Sequence, residues 1–176
     1  MLKYYNTEVT FAEFPDEIAL CVNISHCPCH CDGCSEPWLK DDVGKELTQA
    51  EIDRLITMHP DITLFGLMGG DFDHDYCTEI ATYIHQVYPN IKVGMYSGLD
   101  SIDLNLARVL DCYKIGRFIM PKGDPKTWPT QVCGPIQFPF SNQKYYELHN
   151  GMLVDCTYKF RNKPLNDYTK YIIIPS

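Results

Sequence analysis

Three short apolar runs, residues 18–24, 62–68 and 91–96, alternate with amphipathic stretches, and this constrains the fold of the 176-residue chain more than any other feature. Ile18-Ala-Leu-Cys-Val-Asn-Ile24 is almost wholly apolar, the pattern of a strand covered on both faces. Thr48-Gln-Ala-Glu51 reads as a capping box opening a helix to about Met58, and Pro60 keeps that helix from continuing. A second helix is expected from about Tyr76 to Val87, with Ile80, Ile84 and Val87 on one face. A helical stretch over 104–110 and a fourth strand over 113–120 follow. Strands and helices in this order require right-handed crossovers, so the chain is expected to be α/β with a mostly parallel sheet. In such sheets ligands gather at the carboxyl ends of the strands, and here each of the first three strands ends in an unusual motif.

From Pro121 onward proline and glycine punctuate the chain, and residues 145–158 read as a β-hairpin around Asn150-Gly151. The expected organisation is a single domain, 1–176, with a core at about 18–143 and a C-terminal appendage at about 144–176. No run of about 18 apolar residues is present to cross a bilayer, and residues 1–16 carry charges where a signal peptide would be apolar. A cytoplasmic location is expected, with no membrane partner. A net charge of -8 argues against a surface that follows phosphate backbones, so no nucleic acid is expected either.

The nine cysteines are unevenly spread. Cys21, Cys77, Cys112, Cys133 and Cys156 lie far apart and read as small hydrophobes. The other four fall within His26-Cys27-Pro28-Cys29-His30-Cys31-Asp32-Gly33-Cys34, directly after the first strand. Cys27, Cys31 and Cys34 form a CxxxCxxC motif, three thiolates on one loop that can wrap a corner of a [4Fe-4S] cube and leave the fourth iron open. Competing readings are zinc held by this compact loop, a fourth cluster ligand from Cys29 or a distant cysteine, and a CxCxxC register starting at Cys29.

The order of these motifs resembles the radical S-adenosylmethionine (SAM) superfamily. Further features narrow the likeness: Cys31-Asp-Gly-Cys34-Ser-Glu-Pro-Trp38, Gly44-Lys-Glu-Leu-Thr48, Gly69-Gly-Asp71, Tyr96-Ser-Gly98 and Ser141-Asn-Gln143. They are similar to the activating proteins of anaerobic ribonucleoside-triphosphate reductase, over about residues 18–143. The resemblance implies an incomplete (β/α) barrel with a C-terminal β-hairpin appendage. It implies that Cys27, Cys31 and Cys34 ligate a [4Fe-4S] cluster whose fourth iron chelates S-adenosyl-L-methionine. Gly33 would let the loop backbone approach the adenosyl group. Gly69, Gly70 and Asp71 would receive the methionine ammonium, and Ser97 the carboxylate or ribose. Met68 and Phe72, flanking Gly69-Gly-Asp71, and the tail beyond Gln143 depart from the family pattern.

The implied activity is that of an oxidoreductase. Reductive cleavage of SAM would give a 5'-deoxyadenosyl radical that installs a glycyl radical on the reductase, with no catalytic side chain beyond the cofactor. A flavodoxin- or ferredoxin-type donor would supply the electron. The alternatives are radical SAM chemistry on another protein, peptide or small molecule, or a non-catalytic iron-sulfur or zinc module.

Overall fold

The computed structural model describes residues 1–161 and the backbone of residues 171–173, and gathers their strands into one sheet. In chain order the elements are β1 (Lys3–Thr10), β2 (Ala19–Ile24), β3 (Lys45–Glu46), α1 (Gln49–Met58), β4 (Leu64–Met68), α2 (His74–Val87), β5 (Lys92–Tyr96), α3 (Leu104–Ala107), β6 (Cys112–Ile115), β7 (Lys144–His149), β8 (Met152–Asp155), α4 (Tyr158–Arg161) and β9 (Tyr171–Ile173). The strand order is β3-β1-β2-β4-β5-β6-β7-β8-β9. Pairing is parallel from β2 through β4 and β5 to β6 and antiparallel at both flanks. The sheet is therefore mixed rather than mostly parallel. The central strands β2, β4, β5 and β6 are joined by helix-bearing crossovers that allow parallel pairing, whereas β7 reaches β8 through a tight turn that permits the antiparallel arrangement alone.

The first helix starts where the sequence places it, with the Thr48 hydroxyl accepting the Glu51 N–H at 3.2 Å. The other half of the capping box does not form. The Glu51 carboxylate is buried and instead accepts from the Tyr4 hydroxyl (2.5 Å), from Lys45 and from Arg54 (Nη2 at 2.6 Å), joining β1, β3 and α1. Hydrogen bonds from Arg54 are the main reason its pKa is pulled down to about 2. The second helix begins at His74, ahead of its expected start, because Asp73 caps it by accepting the Tyr76 N–H at 3.1 Å. β6 ends at Ile115, well before residue 120, because the next N–H, that of Gly116, turns to the Leu99 carbonyl.

Along the central strands, side chains of one parity pack against α1, α2 and α3 in the main apolar core, including Leu20, Val22, Phe65, Leu67, Val93, Met95 and Tyr113. The opposite parity faces a second cluster built around Phe14, with Ala19, Cys21, Leu64 and Cys112. A Cβ on Gly66 would stand 2.6 Å from the Phe14 ring, and one on Gly94 would also overlap it, so this aromatic ring fits only because two neighbouring strands carry glycine where it rests. All five isolated cysteines are buried. No helix among the described residues is long and apolar enough to cross a membrane.

Candidate iron-sulfur site

Beyond Ile24 the chain leaves the sheet through residues of positive φ, His26 (61°), His30 (44°) and Gly33 (71°). For histidine this left-handed conformation costs about 1–2 kcal/mol, strain that persists only where the surroundings hold it. Here they do. The N–H groups of His26 and Cys27 donate to the carbonyls of Asp41 (3.0 Å) and Leu39 (2.8 Å), and the Ser25 hydroxyl donates to the Val43 carbonyl at 2.6 Å. Leu39 is buried in a short 3-10 turn, Pro37–Lys40, which anchors the returning limb. Both ends of the loop are thus tied together, and the segment between them carries the thiols.

Cys27, Cys31 and Cys34 all line one cavity of about 340 Å³, the first two half-buried and the third exposed. All are free thiols. Burial raises the pKa of the Cys31 thiol, while a hydrogen bond from the Phe118 backbone and the charge of Arg117 act the other way. Three free thiols on one short loop, all facing one cavity, are a donor set that fits a [4Fe-4S] cluster, whose irons take cysteine thiolates.

Cys29 is placed differently. It is buried, its thiol donates to Asp71 Oδ2 at 3.5 Å, and a Cβ on Gly98 would lie 2.5 Å from its sulfur. Burial, followed by the Asp71 charge, pushes this thiol up to about 12. It acts as a packed foot of the loop, while its three neighbours face the cavity.

Gly69, Asp71 and Ser97 share that cavity with the cysteines, at the carboxyl ends of β4 and β5. Asp71 is almost completely enclosed: Oδ2 accepts the Gly98 N–H at 2.8 Å as well as the Cys29 thiol, and Oδ1 lies 3.4 Å from His74 Nε2. Its carboxylate therefore braces two strand ends, the cysteine loop and α2. The Ser97 hydroxyl accepts the Leu99 N–H at 3.0 Å. Gly33 and Gly70 are not on the cavity wall. Gly33 lies against the Met120 side chain, and Gly70 faces Cys77, Leu2 and Met95 in the core.

Two cavity residues escape a reading of the sequence. Lys114, in the middle of apolar β6, holds its ammonium 4.1 Å from the centroid of the Tyr96 ring, and no acceptor among the described residues takes a hydrogen bond from it. Burial depresses its pKa to about 8. Glu36 presents a buried carboxylate oxygen, Oε2, with no donor. A lysine interrupting an apolar strand is a visible signal; Glu36, in a loop rich in polar residues, offers none. The Ser141-Asn-Gln143 element acts as a clamp on the end of β6. Gln143 Nε2 donates to the Gly116 carbonyl (3.1 Å), Asn142 Nδ2 to the Arg117 carbonyl (3.0 Å) and Ser141 Oγ to the Gly134 carbonyl (2.9 Å).

Comparison with known families gives one match: the model of the 4Fe-4S single cluster domain covers residues 18–127, from β2 through the cysteine loop and past β6. Neither curated proteins nor solved structures give a match.

Proposed function

The chain belongs to the family of 4Fe-4S single cluster domains, and from that premise we propose that it is a radical SAM enzyme that activates an anaerobic ribonucleoside-triphosphate reductase. The observation that carries the reading is the convergence of Cys27, Cys31 and Cys34 on the cavity that also takes in Gly69, Asp71 and Ser97. When bound, a [4Fe-4S] cluster supplies the single electron that splits SAM into methionine and a 5'-deoxyadenosyl radical.

The chain's own residues bind and orient. Cys27, Cys31 and Cys34 hold three irons, and the pinned loop keeps their spacing. Lys114 and Glu36 leave a cation and an anion unpartnered in one cavity, a demand that a zwitterion such as the methionyl end of SAM would meet: carboxylate to Lys114, ammonium to Glu36. Asp71, enclosed behind the wall, adds negative charge near the ammonium without surrendering its bonds to Gly98 and Cys29. Tyr96 and Met68 supply apolar wall that excludes water.

In this reading the sheet curves as an incomplete barrel, and a glycine loop of the reductase enters its open side. A flavodoxin- or ferredoxin-type protein delivers the electron. Anaerobic reconstitution with iron and sulfide, followed by reductant and SAM, should yield 5'-deoxyadenosine. A loaded cluster that forms none overturns the enzyme reading. A glycyl-radical signal in electron paramagnetic resonance, appearing only when the reductase is added, tests the target; 5'-deoxyadenosine without that signal would move the reading to another substrate.

A further inference from the structure

We propose that Glu147, His149 and Cys156 form a second, mononuclear site for a divalent transition ion of the zinc class, at the end of the central strands opposite the cysteine loop. The register of the β7–β8 pair brings the three together. Glu147 and His149 are two residues apart in β7 and so share a face, while the Cys156 N–H donates to the Tyr145 carbonyl and sets its side chain on that same face. One ligand atom from each, a carboxylate oxygen, an imidazole nitrogen and a thiol sulfur, lies within 4.8 Å of the other two.

Mixed sulfur, nitrogen and oxygen donors suit zinc, and three protein ligands leave a fourth position for water. Room for that water is at hand. Glu147 and His149 line a cavity of about 310 Å³ whose other walls include Lys159 of α4 and Glu17, Lys92 and Asp111 at the amino ends of the strands. The Glu147 carboxylate is already oriented to ligate, because Lys159 donates to Oε1 at 2.7 Å and leaves Oε2 facing His149 Nε2 at 3.1 Å. Lys159 is held in turn by Asp16 at 2.9 Å, an outer contact of the kind that fixes metal-binding carboxylates. Cys156 is buried and His149 exposed, so the ion enters from the histidine side and meets the sulfur last. Binding replaces the Glu147–His149 hydrogen bond by bonds to the metal, and the thiol proton passes to solvent as the thiolate forms.

The test is titration of Co²⁺ into the full chain carrying Cys27→Ala, Cys31→Ala and Cys34→Ala, which removes the competing thiols. One equivalent should bind with a near-ultraviolet cobalt–thiolate charge-transfer band, and Zn²⁺ should displace it. Cys156→Ser should abolish the band, and His149→Ala, at an exposed position, should weaken binding at least about tenfold. Circular dichroism shows whether each variant is folded; if Cys156→Ser is not, His149→Ala and Glu147→Gln decide. A band that survives in folded Cys156→Ser, an affinity indifferent to His149→Ala, or no band up to millimolar Co²⁺ overturns the proposal.

Discussion

The two faces of the four parallel strands are built from opposite kinds of residue. Toward the helices, β2, β4, β5 and β6 present Leu20, Val22, Ile24, Phe65, Leu67, Val93, Met95, Tyr113 and Ile115, large side chains that close a continuous core. Toward the cavity the same strands present Ala19, Cys21, Asn23, Gly66, Gly94, Cys112 and Lys114, which are small or polar, beside the larger Leu64, Met68 and Tyr96. Period-two alternation puts most of the bulk on one side and leaves the other partly vacated. The vacated side is filled at one end by Phe14 and left hollow at the other, beside the cysteine loop. One face therefore holds the fold through many interchangeable contacts, and the other depends on a few residues that have no substitute.

The loop should show that dependence most sharply. Replacing Cys27, Cys31 or Cys34 by Ala is expected to abolish stable cluster incorporation, measured by iron and sulfide content and by the visible absorption of the reconstituted protein. Cys29→Ala should keep the cluster, since its thiol serves Asp71 and packs under Gly98. Loss of the cluster in Cys29→Ala with retention in Cys27→Ala would reverse the assignment. Next in size is the plug of the inner face. Phe14→Ala should cost about 3–5 kcal/mol in denaturant unfolding, against about 0.5–1.5 kcal/mol for Ile56→Val on the helical face. A cost below about 1 kcal/mol for Phe14→Ala would mean that the ring is not needed to fill the inner face.

Much of this contrast is legible in the sequence, though unevenly. The central strands and α1 and α2 announce themselves through apolar runs, Thr48 and helical periodicity. The cysteine loop is visible because its thiols need no partner from elsewhere in the chain. β1 is not legible, because Lys3–Thr10 alternates weakly and buries little beyond Tyr4, so its strand character comes from pairing with β2 and β3. The roles of Asp71 and Glu51 are hidden for a different reason. Asp71 sits where a ligand-binding carboxylate is expected, yet Gly98 and Cys29 converge on it from distant parts of the chain, alongside His74 one helical turn away. Glu51 has capping-box spacing, but Tyr4, Lys45 and Arg54 outcompete the Thr48 amide for its oxygens. Spacing reports which residues can reach one another, and the competing donors, near in sequence like Arg54 or distant like Tyr4, decide which partner wins.

Glu51 also lets the helical face be probed by pH. It is a buried charge on that side, and Glu51→Gln should destabilise by about 1–3 kcal/mol at neutral pH by leaving charged and hydroxyl donors poorly matched. Because folding lowers its pKa from 4.5 to about 2, the carboxylate's contribution is fully present above about pH 4.5 and is lost as pH falls toward 2. Unfolding midpoints measured from pH 7 down to 2 should therefore converge for the two proteins across that window. Parallel curves would show that ionisation of Glu51 is not what stabilises the fold, and coincident curves that its network carries no net stabilisation.

The smallest expected effect concerns Lys114 on the cavity face. Its pKa, depressed to about 8 by burial, means that the free protein carries this cation at neutral pH and loses it as pH rises past 8. If the ammonium receives the carboxylate of SAM, affinity should be constant below about pH 7 and decline above pH 8. Lys114→Met keeps the stem over the Tyr96 ring but deletes the charge, so it should lower affinity about tenfold (~1.4 kcal/mol) and flatten the pH profile. Calorimetric titration of SAM into cluster-loaded protein from pH 6.5 to 9.5 measures both. A tenfold loss with the alkaline decline intact would assign the titrating group elsewhere and leave Lys114 a packing role. An unchanged affinity would make its stacking on Tyr96 the reason a lysine stands in β6 at all.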